Sequence, residues 1–82
     1  MHRQMKYICF EYEGMDFFVT FTQWVEHDKF AEMFSSDYKP IRAGFVEMIG
    51  GRLYCIGESV SLNLKSHPDD SAALRRQLGY GD

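Results

Sequence analysis

An 82-residue chain in which 45% of the residues are hydrophobic and 16% aromatic has enough apolar side chains for one packed domain, which argues against wholesale disorder. Its formal net charge of −3 argues against nucleic-acid and anionic-membrane partners, because both kinds of binding depend on clustered Lys and Arg. No apolar run is long enough to span a membrane, and residues 1–4 lack the apolar core of a signal peptide. Two cysteines do not make a secreted disulfide framework. We therefore expect a cytoplasmic protein.

Residues 5–22 are predicted to form a β-hairpin. β-branched and aromatic residues dominate the segment, and Glu13-Gly14 suits a two-residue turn. That turn pairs Phe10 with Phe17 and makes one face strongly apolar, whereas a slip of one residue would scatter the apolar side chains over both faces. The opposite face mixes polar and apolar side chains: Met5, Tyr7, Cys9, Glu11, Asp16, Phe18, Thr20 and Thr22.

Residues 23–35 change to helical spacing, with Phe30 and Phe34 on one side. The helix starts either after Thr22, which would cap it, or near Glu26. We expect this helix to cover the apolar face of the first hairpin.

Residues 40–64 are predicted to form a second hairpin about Gly50-Gly51, since primed turns need φ > 0 and glycine adopts it without steric cost. Pairing extends from this turn out to Ile41 opposite Val60, and both faces are substantially apolar. Directly opposed residues share a face. One face carries Ile41, Ala43, Phe45, Glu47, Tyr54, Ile56, Glu58 and Val60. The other carries Arg42, Gly44, Val46, Met48, Leu53, Cys55, Gly57 and Ser59.

Residues 68–78 have the sequence of a short helix. Ser66 followed by Asp69 resembles a capping box, and Pro68 suits the first turn. Gly79 follows the last apolar residue and predicts a left-handed stop.

The resulting order, β-β-α-β-β-α, predicts a single α+β domain over residues 1–82, with a four-stranded, mainly antiparallel sheet and two helices. Two apolar faces need two covers, and the second helix has few apolar residues. An uncovered face would leave a larger apolar patch than monomers usually tolerate, which favours an isologous homodimer. In the alternative, the helices take opposite faces and leave nothing exposed. The predicted interface consists of Val46, Met48, Leu53, Cys55, Tyr7 and Phe18.

A second candidate site lies around Glu58, whose carboxylate would be costly to bury unpaired in mid-strand. With Tyr54 and Arg42 it would line a ligand pocket. The alternatives are an ion pair with a nearby base, or a bulge at Gly57 that turns the carboxylate outward. Gly44 opposite Gly57 indicates a bulge or close packing more readily than a shallow pocket.

The remaining reactive side chains do not form a recognisable catalytic or metal motif. His27 and His67 lack the spacing of metal ligands, so we predict no metal and no cofactor. Cys9 and Cys55 lie in mid-strand between apolar neighbours, as buried structural cysteines do. Ser59 lies in a segment that departs from the nucleophile elbow, because the second glycine is replaced by a serine.

Residues 57–70, GESVSLNLKSHPDD, resemble the tail of small bacterial proteins carried on mobile DNA, such as those of integron gene cassettes. This resemblance implies a bacterial accessory protein and carries no activity with it.

Taken together, these patterns favour a small non-enzymatic interaction module that forms a homodimer, binds a protein partner, or does both. The alternative is a small-molecule-binding protein or minor enzyme with a pocket near Glu58, Tyr54 and Arg42. We expect no nucleic-acid or membrane partner.

Overall fold

Eight short elements follow one another along residues 4–80, the part of the chain that the computed structural model describes. They are β1 (Met5–Tyr12), β2 (Met15–Thr22), α1 (His27–Ala31), β3 (Lys39–Ile49), β4 (Arg52–Ile56), β5 (Glu58–Ser59), β6 (Leu64–Lys65) and α2 (Asp70–Leu78). The first four strands form one antiparallel sheet in the order β2-β1-β3-β4, and β5 and β6 pair separately. The α+β class, the four-stranded antiparallel sheet and the two helices are therefore as the sequence predicted.

The first hairpin has the predicted register, with Phe10 opposite Phe17 and Tyr12 opposite Met15. Its turn residues Glu13 and Gly14 both have positive φ, 50° and 77°, as a primed turn requires. β1 also pairs with β3 along its other edge. It is thus an inner strand with both faces covered.

The central hairpin has the predicted register only from the turn as far as Phe45 opposite Ile56. The predicted outer pairs, from Gly44–Gly57 to Ile41–Val60, do not form. Gly57 adopts φ 76°, and the chain leaves the main sheet there to make the β5–β6 pair. Gly44 lies so close to the carbonyl oxygen of Ile56 that a Cβ would collide with it. The glycine therefore marks close packing rather than a pocket.

Helix α1 is shorter than predicted. It spans His27–Ala31 instead of residues 23–35, with Glu26 as its N-cap residue. It ends in two turns closed by bonds from residue i to i+3, which continue the chain without a regular helix. The β5–β6 segment supplies the missing cover, since Leu62 and Leu64 pack against the same core as Phe30 and Phe34.

Helix α2 spans Asp70–Leu78, and Gly79 ends it with φ 84°, as predicted. The predicted capping box is wrong. The hydroxyl of Ser66 donates to the carbonyl of Gly57 at 2.8 Å, and the N–H of His67 donates to the carboxylate of Asp70 at 3.0 Å.

Each face of the main sheet has its own core. The face under α2 carries Tyr7, Cys9, Phe18, Val46, Leu53, Cys55 and Leu74. The other face, under α1 and the β5–β6 segment, carries Ile8, Phe10, Phe21 and Ala43. In this fold α2 covers the centre of the face that the sequence left in doubt, while Met5 and Met48 on that face stay partly exposed.

Candidate functional site

The structure does not bring the three predicted ligand-binding residues together. Glu58 is exposed in β5, opposite Lys65. Tyr54 lies beneath the guanidinium of Arg75, 5.0 Å from the ring centroid. The Nε of Arg42 donates to the carboxylate of Asp70. The turn at residue 57 removes Glu58 from the main sheet, so the predicted pocket is not formed.

Five of the six predicted interface residues are buried within a single chain. Val46, Leu53, Cys55, Tyr7 and Phe18 are each no more than 8% exposed, whereas Met48 is 49% exposed. Leu74 of α2 is fully buried against them. The apolar face that motivated the homodimer is therefore covered by the chain's own helix. A homodimer stays a prediction and requires a different surface.

A buried polar network fixes the start of α2. The carboxylate of Asp70, 1% exposed, accepts hydrogen bonds from the hydroxyl of Tyr7 at 2.6 Å and from Nε of Arg42 at 2.7 Å. It also accepts one from the N–H of His67 at 3.0 Å. Burial, together with the bond to Asp70, raises the pKa of the Tyr7 hydroxyl far above its usual value. Both oxygens of the carboxylate are thus engaged in holding the helix.

The two thiols belong to the same core and are poor nucleophiles. Burial raises the pKa of Cys9 to about 11 and that of Cys55 to about 12. The nearby guanidinium of Arg42, 3.3 Å from the sulfur of Cys9, does not offset this effect. Both thiols are protonated at neutral pH, and nucleophilic chemistry needs the thiolate.

Side chains of α2 bind to both edges of the main sheet. On β4, the N–H of Cys55 donates to the hydroxyl of Ser71, and Nε of Arg75 donates to the carbonyl of Leu53. On β2, the amide of Gln77 binds both the N–H and the carbonyl of Phe18, each at 2.7 Å. Unpaired backbone groups on edge strands invite strand addition. These contacts block it at the middle of each edge.

His27 attaches α1 to the opposite face of the sheet. It is 3% exposed, and its Nε2 lies 2.9 Å from the carbonyl oxygen of Gly44. The rings of Phe21 and Phe45 meet the imidazole edge-on. A carbonyl oxygen only accepts, so Nε2 carries a proton and donates it. The histidine is a structural clamp.

The exposed apolar side chains at the C-terminal end of α2 are the feature that sequence reasoning largely missed. Met5, Met48, Leu78 and Tyr80 are 41%, 49%, 47% and 55% exposed. Met5 and Met48 lie on the α2 side of the sheet, because Met5 pairs with Val46, two residues from Met48. Leu78 lies one helical turn beyond buried Leu74. We call these four residues the α2-end surface.

A cleft of 300 Å³ opens on this surface. It is lined by Met48, Gly51, Arg52, Leu53, Arg75 and Tyr80. Its wall is thus made of sulfur, aliphatic and aromatic groups beside two guanidinium groups. Met48 is the one member of the α2-end surface that the sequence analysis placed in an interface. The other three were missed because their exposure depends on where α2 ends over the sheet.

A broader groove of 510 Å³ lies between α1 and the segment before β3, with Phe34 and Tyr38 among its lining residues. Within residues 4–80, no three His, Cys, Asp or Glu side chains are grouped as metal ligands. Neither described helix is long and apolar enough to cross a membrane.

No family model, curated protein or solved structure matches this chain significantly. The resemblance of residues 57–70 to proteins of mobile bacterial DNA stays a prediction.

Proposed function

We propose that this chain is a non-enzymatic interaction module that self-associates through the α2-end surface. The observation that carries the proposal is a cleft lined by the exposed side chains of Met48 and Tyr80. Met5, on the same side of the sheet, and Leu78, in the last turn of α2, are also exposed. Apolar patches of this kind on soluble proteins commonly mark interaction sites. Methionine suits such a surface, because its flexible thioether packs against irregular shapes.

Away from the α2-end surface, the buried polar and thiol side chains make contacts that hold the fold together. The carboxylate of Asp70, the imidazole of His27 and the thiol of Cys9 each take part in contacts that hold a helix or fill a core. The edges of the main sheet are also occupied at their middles by Gln77 and Ser71. These contacts disfavour association through strand addition at those positions.

Replacing Met48 with Glu tests the proposal. Burying the new carboxylate in the contact would remove its hydration water at a cost in free energy. We therefore expect the dissociation constant of the dimer to rise about tenfold or more, as for a central interface residue. Sedimentation velocity over a range of chain concentrations measures the effect. Met15→Glu is the matched control, because Met15 is 73% exposed at the turn of the first hairpin.

We expect Met15→Glu to associate like the wild type. A wild-type chain that sediments as a monomer at every concentration would overturn the proposal. Equal weakening by the two substitutions would also overturn it, because the effect would then come from added charge and not from the α2-end surface.

A further inference from the structure

The single tryptophan of the chain, Trp24, is 83% exposed. It follows β2 in a tight turn, in which the N–H of Val25 donates to the carbonyl of Thr22 at 3.3 Å. The N–H of Trp24 also donates to the hydroxyl of Thr22. Exposed tryptophans held on a fixed backbone are typical anchors of protein interfaces.

Trp24 and the cleft on the α2-end surface lie towards the same end of the main sheet. Thr22 pairs with Met5, Met5 with Val46, and Val46 with Cys55, which makes one row across the four strands. Trp24 lies two residues after Thr22, in the turn that follows β2, and Met48 lies two residues after Val46 on β3. One chain thus presents a bulky aromatic group and a cleft at a single end.

The cleft and the indole have matching chemistry. A volume of 300 Å³ is at the lower limit of about 300–1,000 Å³ for ligand pockets, so the cleft accommodates one large side chain better than an extended ligand. Arg52 lines it, and a guanidinium group stacks on aromatic faces, tryptophan best of all. Arg75 lines it too, but its guanidinium already lies over the ring of Tyr54. The exposed carboxylate of Glu26, two residues after Trp24, has the charge opposite to that of the Arg52 guanidinium.

We propose that the partner at the α2-end surface is Trp24 of a second copy of this chain. The inference rests on the proposed function and specifies its contact. Because each copy presents both groups at one end, two copies exchange them about a two-fold axis and bury both tryptophans. An isologous contact of this kind closes on itself and gives a dimer.

Fluorescence follows this contact directly, since Trp24 is the only tryptophan. In the wild type, we expect the emission to shift to shorter wavelength and acrylamide quenching to fall as chain concentration rises. Both changes should parallel the dimer fraction from sedimentation. Met48→Glu, which leaves the tryptophan in place, should keep the emission of a water-exposed indole throughout.

A mixing experiment identifies the cleft. The Trp24→Ala variant has no tryptophan emission but keeps the cleft intact. The Met48→Glu variant has an altered cleft but keeps the tryptophan. Adding Trp24→Ala to Met48→Glu forms one of the two contacts, so we expect a blue shift of the remaining tryptophan. Adding the double variant Trp24→Ala/Met48→Glu should produce no shift. Circular dichroism checks that every variant is folded.

The outcomes separate the two proposals. A dimer whose tryptophans stay fully quenchable, or a mixture without a blue shift, overturns the role of Trp24 and leaves self-association standing. A wild type that stays monomeric overturns both. As a further control, Met33→Ala removes another exposed apolar side chain, 75% exposed, and should dimerise like the wild type.

Discussion

The carboxylate of Asp70 receives hydrogen bonds from three separate parts of the chain, through Tyr7, Arg42 and His67. Two of these donors come from inner strands and the third from the segment that leads into α2. A buried carboxylate is stable only when such partners replace the water it has lost. Asp70 therefore holds the start of α2 against the sheet.

We expect Asp70→Asn to lower the free energy of unfolding by about 3 kcal/mol, as for a buried ion pair that loses one partner. Either orientation of the amide places an N–H₂ group against a donor, because Oδ1 faces Arg42 and Oδ2 faces both Tyr7 and His67. Urea unfolding measures the change.

The neighbouring carboxylate supplies the control. Asp69 has a 90% exposed side chain, so Asp69→Asn should change stability by no more than about 0.5 kcal/mol. Similar losses for the two variants would show that the network around Asp70 does not hold the helix.

His27 makes stability depend on pH. Burial lowers the pKa of its imidazole below the ordinary value of 6.5, so the unfolded chain binds a proton more readily than the folded chain. The contribution of neutral His27 is complete above about pH 6.5 and is lost as the pH falls through the folded pKa. His27→Gln should remove this part of the acid sensitivity. Urea unfolding at a series of pH values tests it, and an unchanged pH slope would contradict the prediction.

At the scale of elements, α2 covers one face and also closes the edges of the sheet. Gln77 binds the backbone of Phe18 as a neighbouring strand would, with one bond to the N–H and one from its own amide to the carbonyl. An edge strand without such cover exposes unpaired groups to other chains.

We expect Gln77→Ala to speed hydrogen exchange of the Phe18 amide and to lower the free energy of unfolding by about 1–2 kcal/mol, the net value of two hydrogen bonds. Arg76→Ala, at the exposed adjacent position, is the control and should leave that amide unchanged. Exchange followed by NMR separates the two. An unaffected Phe18 amide in Gln77→Ala would show that β2 is protected in another way.

Local pattern predicted both hairpin turns, the registers next to them and the left-handed end of α2. Those features depend on residues close in sequence, such as Gly50-Gly51 and Gly79, whose positive φ is set by the local turn. The contacts that position α2 join residues far apart: Tyr7 and Asp70 are separated by 63 positions, and Phe18 and Gln77 by 59. No local pattern specifies such pairs, so the sequence left open whether α2 covers the second face.

At the scale of the whole molecule, each face of the main sheet is covered by its own segment of the chain. The β5–β6 segment, which was not predicted to do so, covers one face together with α1. On one face, Leu62 and Leu64 pack beside the short helix α1. On the other face, Leu74 of α2 packs in the core, and polar side chains of α2 bind the edge strands. With the centre of each face covered, Met48 and Trp24 are among the apolar side chains that stay exposed. If the chain self-associates as proposed, the contact therefore uses the α2-end surface and not the buried centre of a sheet face.

This arrangement predicts how stability varies with concentration. Association of folded chains stabilises them relative to the unfolded chain by mass action, so the unfolding midpoint of the wild type should rise with chain concentration. Each chain is already covered on both faces, so dilution should leave a folded monomer with a constant, lower midpoint. Met48→Glu should show that lower midpoint at every concentration. Thermal unfolding followed by circular dichroism measures both, and a chain that unfolds on dilution would contradict the prediction of a stable folded monomer.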